Sequence, residues 1–368
     1  MIYSILFGAF LSCEDAQLYS QSKTIQLDET IQLPLKSDMI FKSLCIDYRV
    51  LNGTEYLFHG SLIDQSISIY NLNDREIEQK ISISKNGPNS VGTTPYGFLV
   101  HSMDSIFILS HREGLISLID SSGTVKEKFE IKKDVFAGDP APWASTTMPM
   151  YYDNKSSELI IHTVSRVPKD GDTYSHSTAM LRFNLSTRKQ SKQHNYPRSY
   201  DIGYWREHSF CAGYISQKID GSGSIIGFGI DHYLRDAEGK KFIAKSKYLK
   251  EFKPIDDSYR KNRSYSNSQN EVYRMGYYSA LITDKYRKKY YRIVALPLQE
   301  EKIKKGDLTF NYSIIVLDHK LEQQHEYLLP KNLDATMFFL REDGFFMADR
   351  EAYYNNENLL TFHKLAIP

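Results

Sequence analysis

The sequence is short of cysteine, with Cys13, Cys45 and Cys211 its only three in 368 residues. So few cannot staple a small disulfide scaffold. No Cys-x-x-Cys pair and no Cys/His cluster occurs, so neither a metal site nor a cofactor is expected. Net charge is also scarce. Lys and Arg number 46 against 45 Asp and Glu, a formal balance of +1, which argues against a nucleic-acid-binding surface. The phosphate loop Gly-x-x-x-x-Gly-Lys, the elbow Gly-x-Ser-x-Gly and the zinc motif His-Glu-x-x-His are all missing, which lowers the odds of the commonest enzyme classes. The Trp-Asp endings of one propeller class are missing too. No stretch sustains a helical period, and no low-complexity segment or linker divides the chain. A single domain with little helix is the expectation.

Long apolar runs are lacking as well. The most apolar stretch, residues 2–11, is too short to span a bilayer as a permanent helix. It matches the apolar core of a secretory signal. Ser12-Cys13 and the acidic Glu14-Asp15 follow it, the context of a bacterial lipoprotein cleavage site. Residues 1–12 therefore read as a signal peptide, and 13–23 as a lipid-bearing Cys13 with a linker. The competing reading is a buried or unordered N-terminal strand. Cys45 and Cys211 lie in strand-like text far apart in the order of the repeats. They are expected as small buried hydrophobes rather than as a disulfide.

What the chain does have is a recurring hairpin phrase. Ile67-Ser68-Ile69-Tyr70-Asn71-Leu72 is followed by a turn and Glu76 to Ile83. The phrase returns from Leu115 to Asp120 with Thr124 to Ile131, from Ala179 to Leu185 with a strand to Gln193, and from Ser313 to Asp318 with Glu322 to Leu329. A half-copy, Leu359 to Leu365, stands near the end. Repetition of one supersecondary unit predicts a propeller or solenoid. Apolar residues at 41% and 27 Tyr suit half-buried sheets.

Strand-like segments group at about residues 40–84, 94–132, 147–193, 207–255 and 272–329, with a last group from Ala335. That last group lacks a fourth strand, and the alternating segment Thr24 to Leu33 lacks a group. Joining the two closes the ring and protects the sheet edges. The prediction is an all-β fold: a β-propeller over residues 24–368, with six blades of four antiparallel strands, closed by the N-terminal strand. Seven blades are the alternative.

The phrase Lys85-Asn86-Gly87-Pro88-Asn89, the stretch Asp284 to Arg292 and the lipoprotein-like start together resemble the Bacteroidetes lipoproteins grouped as domain of unknown function family 4221. The resemblance covers nearly the whole chain. It implies a six-bladed propeller lipoprotein and carries no activity or catalytic residue to transfer.

Propellers bind ligands through loops at the blade ends. Loops here hold Asp139 and Trp143; Trp205, Arg206, Glu207 and His208; and Tyr273 and Arg274. Rings that stack on apolar faces, beside polar groups that fix orientation, suit a glycan or a peptide. The same aromatics would equally serve as blade-to-blade packing. Asp139, Glu207 and His208 could form an acid/base group, the basis for the alternative of a carbohydrate-active hydrolase or lyase. The basic stretch Lys285 to Arg292 reads as an exposed strand with one solvated basic side. The functional expectation is a lipid-anchored, extracytoplasmic binding module of the cell envelope, with a glycan, peptide or envelope protein as partner. A purely structural envelope role is the third reading.

Overall fold

The computed structural model describes residues 23–36, 39–43, 45–61, 64–132, 141–165, 174, 177–202, 205, 208–255 and 265–368. The repeats fold into six antiparallel sheets arranged as the blades of a β-propeller. The first blade is β2 (Cys45–Leu51), β3 (Thr54–Ser61), β4 (Ser66–Asn71) and β5 (Glu76–Ser82), after β1 (Leu27–Pro34). The second is β6 (Pro95–Ser102), β7 (Ser105–Ser110), β8 (Leu115–Ile119) and β9 (Val125–Glu130). In the third, β10 (Ala141–Trp143) and β11 (Tyr151–Asp153) share one inner position against β12 (Glu158–Val164), followed by β13 (Thr178–Asn184) and β14 (Gln190–Asn195).

The fourth blade is β15 (Gly213–Gln217), β16 (Ser224–Phe228), β17 (Tyr233–Asp236) and β18 (Lys241–Ile243). The fifth is β19 (Tyr277–Asp284), β20 (Lys289–Ala295), β21 (Tyr312–Leu317) and β22 (Gln323–Leu328). The sixth is β23 (Leu333–Leu340), β24 (Phe345–Asp349) and β25 (Leu359–Leu365), with β1 paired outside β25.

Position within a blade explains composition. Middle strands lie between neighbouring blades and are buried on both faces, so β4 and β7 run almost wholly buried. Outer strands such as β9, Val-Lys-Glu-Lys-Phe-Glu, keep only one residue buried and put charge on the free edge. Each recurring hairpin turns on an Asn or Asp at the end of its third strand. Asn71, Asp120, Asn184 and Asp318 accept backbone N–H groups from Asn73, Ser122, Thr187 and Lys320 at 2.8–3.0 Å. A residue at positive φ then completes each turn: Arg75, Gly123, Arg188 and Leu321. The sequence repeat is therefore a repeat of turn chemistry as well as of apolar pattern.

The core lies between blades. Ile31 and Leu33 of β1 pack in one cluster with Leu57 and Tyr70 of the first blade and Phe339 and Phe346 of the sixth. They pair in register with Phe362 and Leu360. Cys45 in β2 and Cys211 are both buried.

Helix is as scarce as expected, in the short elements α1 (His208–Cys211), α2 (Tyr265–Met275), α3 (Glu300–Lys304) and α4 (Arg350–Asn355). Two local readings need correction. Trp143 lies in β10 rather than in a loop. The basic stretch is not an exposed strand either. Tyr290, Tyr291 and Arg292 are buried, and Arg287 is fastened to the buried Asp284 and to the carbonyls of Arg341 and Glu342. Those side chains have neighbouring blades to pair with, which the local pattern cannot show.

Candidate functional site

The first strand of every blade contributes to one cavity of about 440 Å³ on the axis of the ring. Its deeper wall is apolar, with Ile46, Phe98, Met150, Leu281, Phe338 and Phe339. Polar and aromatic residues gather where the inner strands end and turn back. They are Tyr48 and Arg49 on β2, Tyr151 on β11, Gln217 and Lys218 at the end of β15, and Lys285 and Tyr286 after β19.

The carboxylate of Asp47 accepts from Arg49 Nη2 at 3.0 Å and from the Val100 N–H at 2.8 Å. Burial raises its carboxyl above the ordinary range, and the Arg49 charge opposes that rise. Asp47 is the only carboxylate among the described lining residues. The Tyr48 hydroxyl donates to Glu55, which also takes Arg341 Nη2 at 3.1 Å. Burial, then the hydrogen bond to Glu55, push that phenol's pKa up.

Tyr151 donates to Ile215 O at 3.2 Å, and burial pushes its phenol up to about 12. Ser216 and Thr283 share a hydrogen bond of 2.6 Å, and Thr283 donates to Gln217 O at 2.5 Å. The Lys218 ammonium stands 3.5 Å from Asp236 and 3.8 Å from Glu238. Lys285 has no carboxylate partner among the described residues, and its ammonium lies 5.1 Å from the Tyr286 ring centroid. The Cys45 thiol points to Phe98 O at 3.3 Å, and burial pushes it up to about 12, so it stays a neutral thiol. Among the described residues, no three His, Cys, Asp or Glu side chains group closely enough to hold a metal ion.

The residues singled out in the sequence sit elsewhere. Half-buried Trp143 packs on Tyr96, centroids 4.1 Å apart, and on His111 at 5.3 Å. Trp205 is 2% exposed and wedged between Tyr200 and Phe210. Both Trp belong to the packing around the third and fourth blades. Tyr273 and Arg274 are in the last turn of α2. Arg274 binds Glu271 at 2.7 Å and Glu300 at 2.9 Å, while Tyr273 packs on Phe310.

None of these four lines the axial cavity. Trp143, α1 and α2 lie at the starting end of their inner-strand positions, whereas the polar residues of the cavity lie towards the finishing end, so the two sets sit towards opposite ends of the ring. Asp139, Arg206 and Glu207 lie outside the described residues, as do Cys13 and the His208 side chain. The cavity residues carried one legible signal: Tyr48-Arg49 and Lys285-Tyr286 each set an aromatic beside a cation at a strand end.

Residues 22–328 match the family described as Domain of unknown function (DUF4221). A crystal structure of a member of that family from Bacteroides vulgatus resembles this fold with a TM-score of 0.78 at 20% identity, covering 94% of this chain and 99% of that one. A Bacteroides fragilis protein named only as exported gives a TM-score of 0.58 at 11% identity, covering 93% and 96%. Regucalcin from Agrobacterium tumefaciens, a calcium-binding protein, gives 0.51 at 13% identity, covering 94% and 96%. No curated protein sequence matches the chain. Among the described residues, no helix is long and apolar enough to cross a membrane.

Proposed function

The chain belongs to the DUF4221 family of propellers of unknown function, and from that premise we propose that it is an extracytoplasmic binding module that takes a small ligand in its axial cavity. The carrying observation is the cavity itself. All six blades contribute to it, and it joins an apolar wall to a polar, aromatic mouth, the make-up of a small-molecule site. A volume of about 440 Å³ falls within the usual range for such sites.

Binding is favoured over glycoside hydrolysis by the carboxylate count. Glycoside hydrolysis uses a pair of carboxyl groups, whereas Asp47 stands alone among the described lining residues and is held by Arg49 and Val100. The ligand classes that fit this reading are a glycan fragment or a short peptide.

Attachment through lipid on Cys13 at the cell envelope completes the proposal. Its support is the apolar run before Ser12-Cys13 and the export of the Bacteroides fragilis relative implied by that protein's name.

The test is calorimetric titration of the full chain with small glycans and peptides, with recovery of the ligand afterwards. Saturable binding that Gln217→Trp abolishes, with the ligand unchanged, is the expected result. A consumed ligand, with turnover lost in Asp47→Asn, would replace the binding module with an enzyme. Binding that survives Gln217→Trp but fails in Trp143→Ala would move the site to the other end of the ring. For the anchor, Cys13→Ser should release the chain from the membrane fraction, and unchanged partitioning would reject it.

A further inference from the structure

We propose that the ligand of the axial cavity is a small organic carboxylate with an apolar or ring face, its charge held by Lys285 and Arg49. This deepens the reading of the cavity as the binding site and rests on it. The charge balance of the lining carries the inference. Three cations, Arg49, Lys218 and Lys285, face one carboxylate, Asp47, among the described lining residues. Asp47 is already engaged by Arg49 at 3.0 Å and by a backbone N–H. Arg49 is thereby matched, and Lys218 is matched by Asp236 at 3.5 Å and Glu238 at 3.8 Å, so the unmatched positive charge at the mouth is that of Lys285.

The availability of donors points the same way. The hydroxyls of the wall are turned onto the protein: Tyr151 to Ile215 O, Thr283 to Gln217 O and Tyr48 to Glu55. The lining groups still open to a ligand are the cationic donors of Lys285 and Arg49, beside the Gln217 amide and the Tyr286 hydroxyl. Lys285 is exposed and has no carboxylate within ion-pair distance among the described residues. Arg49 gives Nη2 to Asp47 and keeps Nη1 without a partner among the described residues, with its side chain 36% exposed. A guanidinium fork suits a planar carboxylate. The apolar wall beneath the mouth concentrates the field of these cations on an entering anion. The Tyr286 ring and Leu340 at the rim supply a face for the body of the ligand.

Two sources of that chemistry, acidic sugars and acidic peptides, are separated by the probes. The full chain is titrated with digalacturonate and with N-acetyl-diglutamate, each beside its neutral counterpart, galactobiose or N-acetyl-diglutamine. The expected result is that one acid binds and its neutral counterpart binds at least about tenfold more weakly, a gap that narrows as salt screens it. Lys285→Gln should weaken the acid roughly tenfold while leaving the neutral compound unchanged.

A neutral compound that binds as well as its acid, is blocked by Gln217→Trp and ignores Lys285→Gln would overturn the anion proposal while the cavity reading stands. Acid binding untouched by Gln217→Trp, with the fold intact by circular dichroism, would remove the cavity reading itself. Failure of both acids to saturate at millimolar concentration would also count against the proposal.

Discussion

The guanidinium of Arg292 lies 3.3 Å from the ring centroid of Tyr278, and both side chains are fully buried. Arg292 on β20 also donates to three carbonyls of the fourth blade: Ala244 O at 2.9 Å, Phe228 O at 3.1 Å and Asp231 O at 2.5 Å. Tyr278 meanwhile takes the Ser246 N–H at 3.0 Å and bonds His232 Nδ1 at 2.7 Å. One buried cation on one ring thus ties the fifth blade to the fourth. Burial lowers the guanidinium's pKa from its ordinary value, yet arginine remains protonated.

Arg292→Met should therefore destabilise the chain by about 3 kcal/mol or more, since it removes donors from buried carbonyls. Chemical denaturation followed by circular dichroism measures this. A loss below about 1 kcal/mol would mean that water or a shifted side chain replaces the donor set.

Stability should fall in acid between about pH 6.5 and about pH 4, and His162 is a main cause. It is fully buried, its Nδ1 is 2.9 Å from Gly213 O, and burial pushes its pKa down to about 4. The unfolded chain takes up this proton near the ordinary value, whereas the folded chain resists until about 4. The contribution is thus complete above the ordinary value and is lost as pH falls. At about 1.4 kcal/mol per unit it amounts to roughly 3 kcal/mol. His194, pushed down to about 4 by burial, acts with the same sign. Urea midpoints across that range should slope less steeply in His162→Asn, and an unchanged slope would clear this residue.

Leu33→Ala tests the N-terminal strand as the outer member of the sixth blade. Leu33 is fully buried and faces Leu360 across the ladder. A loss of about 2–5 kcal/mol is expected for such a truncation. Removing β1 altogether should promote aggregation through the bared edge of β25. A chain lacking residues 23–34 that stays monomeric and equally stable by light scattering and denaturation would show that the strand is dispensable.

The two tryptophans should respond differently. Trp205→Ala opens a hole in the core and should cost about 3–5 kcal/mol. Trp143 is only half-buried against Tyr96 and His111, so Trp143→Ala should cost less than about half of that. Equal losses in denaturation midpoints would contradict this ranking.

Much of the fold was legible in the chain. The hairpin phrase located the β4–β5, β8–β9, β13–β14 and β21–β22 pairs, because the apolar pattern and the Asn or Asp turn recur together. The short helix α2 escaped notice because its eleven residues, mean polarity included, give no long apolar stripe. The candidate site was far less legible. The sequence presents Trp143, Trp205 and Tyr273 as loop aromatics, whereas Trp143 lies in β10 and Tyr273 in α2, and all three rings pack against other rings.

The sequence by itself determined the blade: which residues pair, where each hairpin turns and which strand carries charge on its edge. Those properties depend on neighbours a few residues apart, through strand periodicity and side-chain-to-backbone hydrogen bonds. Only the tertiary structure decided the cavity. Asp47, Tyr151, Lys218 and Lys285 come from four different blades and meet because the ring brings their inner strands to one axis. The same closure buries Arg292 on Tyr278 and hides Trp205. Burial between blades and convergence on an axis are long-range consequences of packing, and no local pattern carries them.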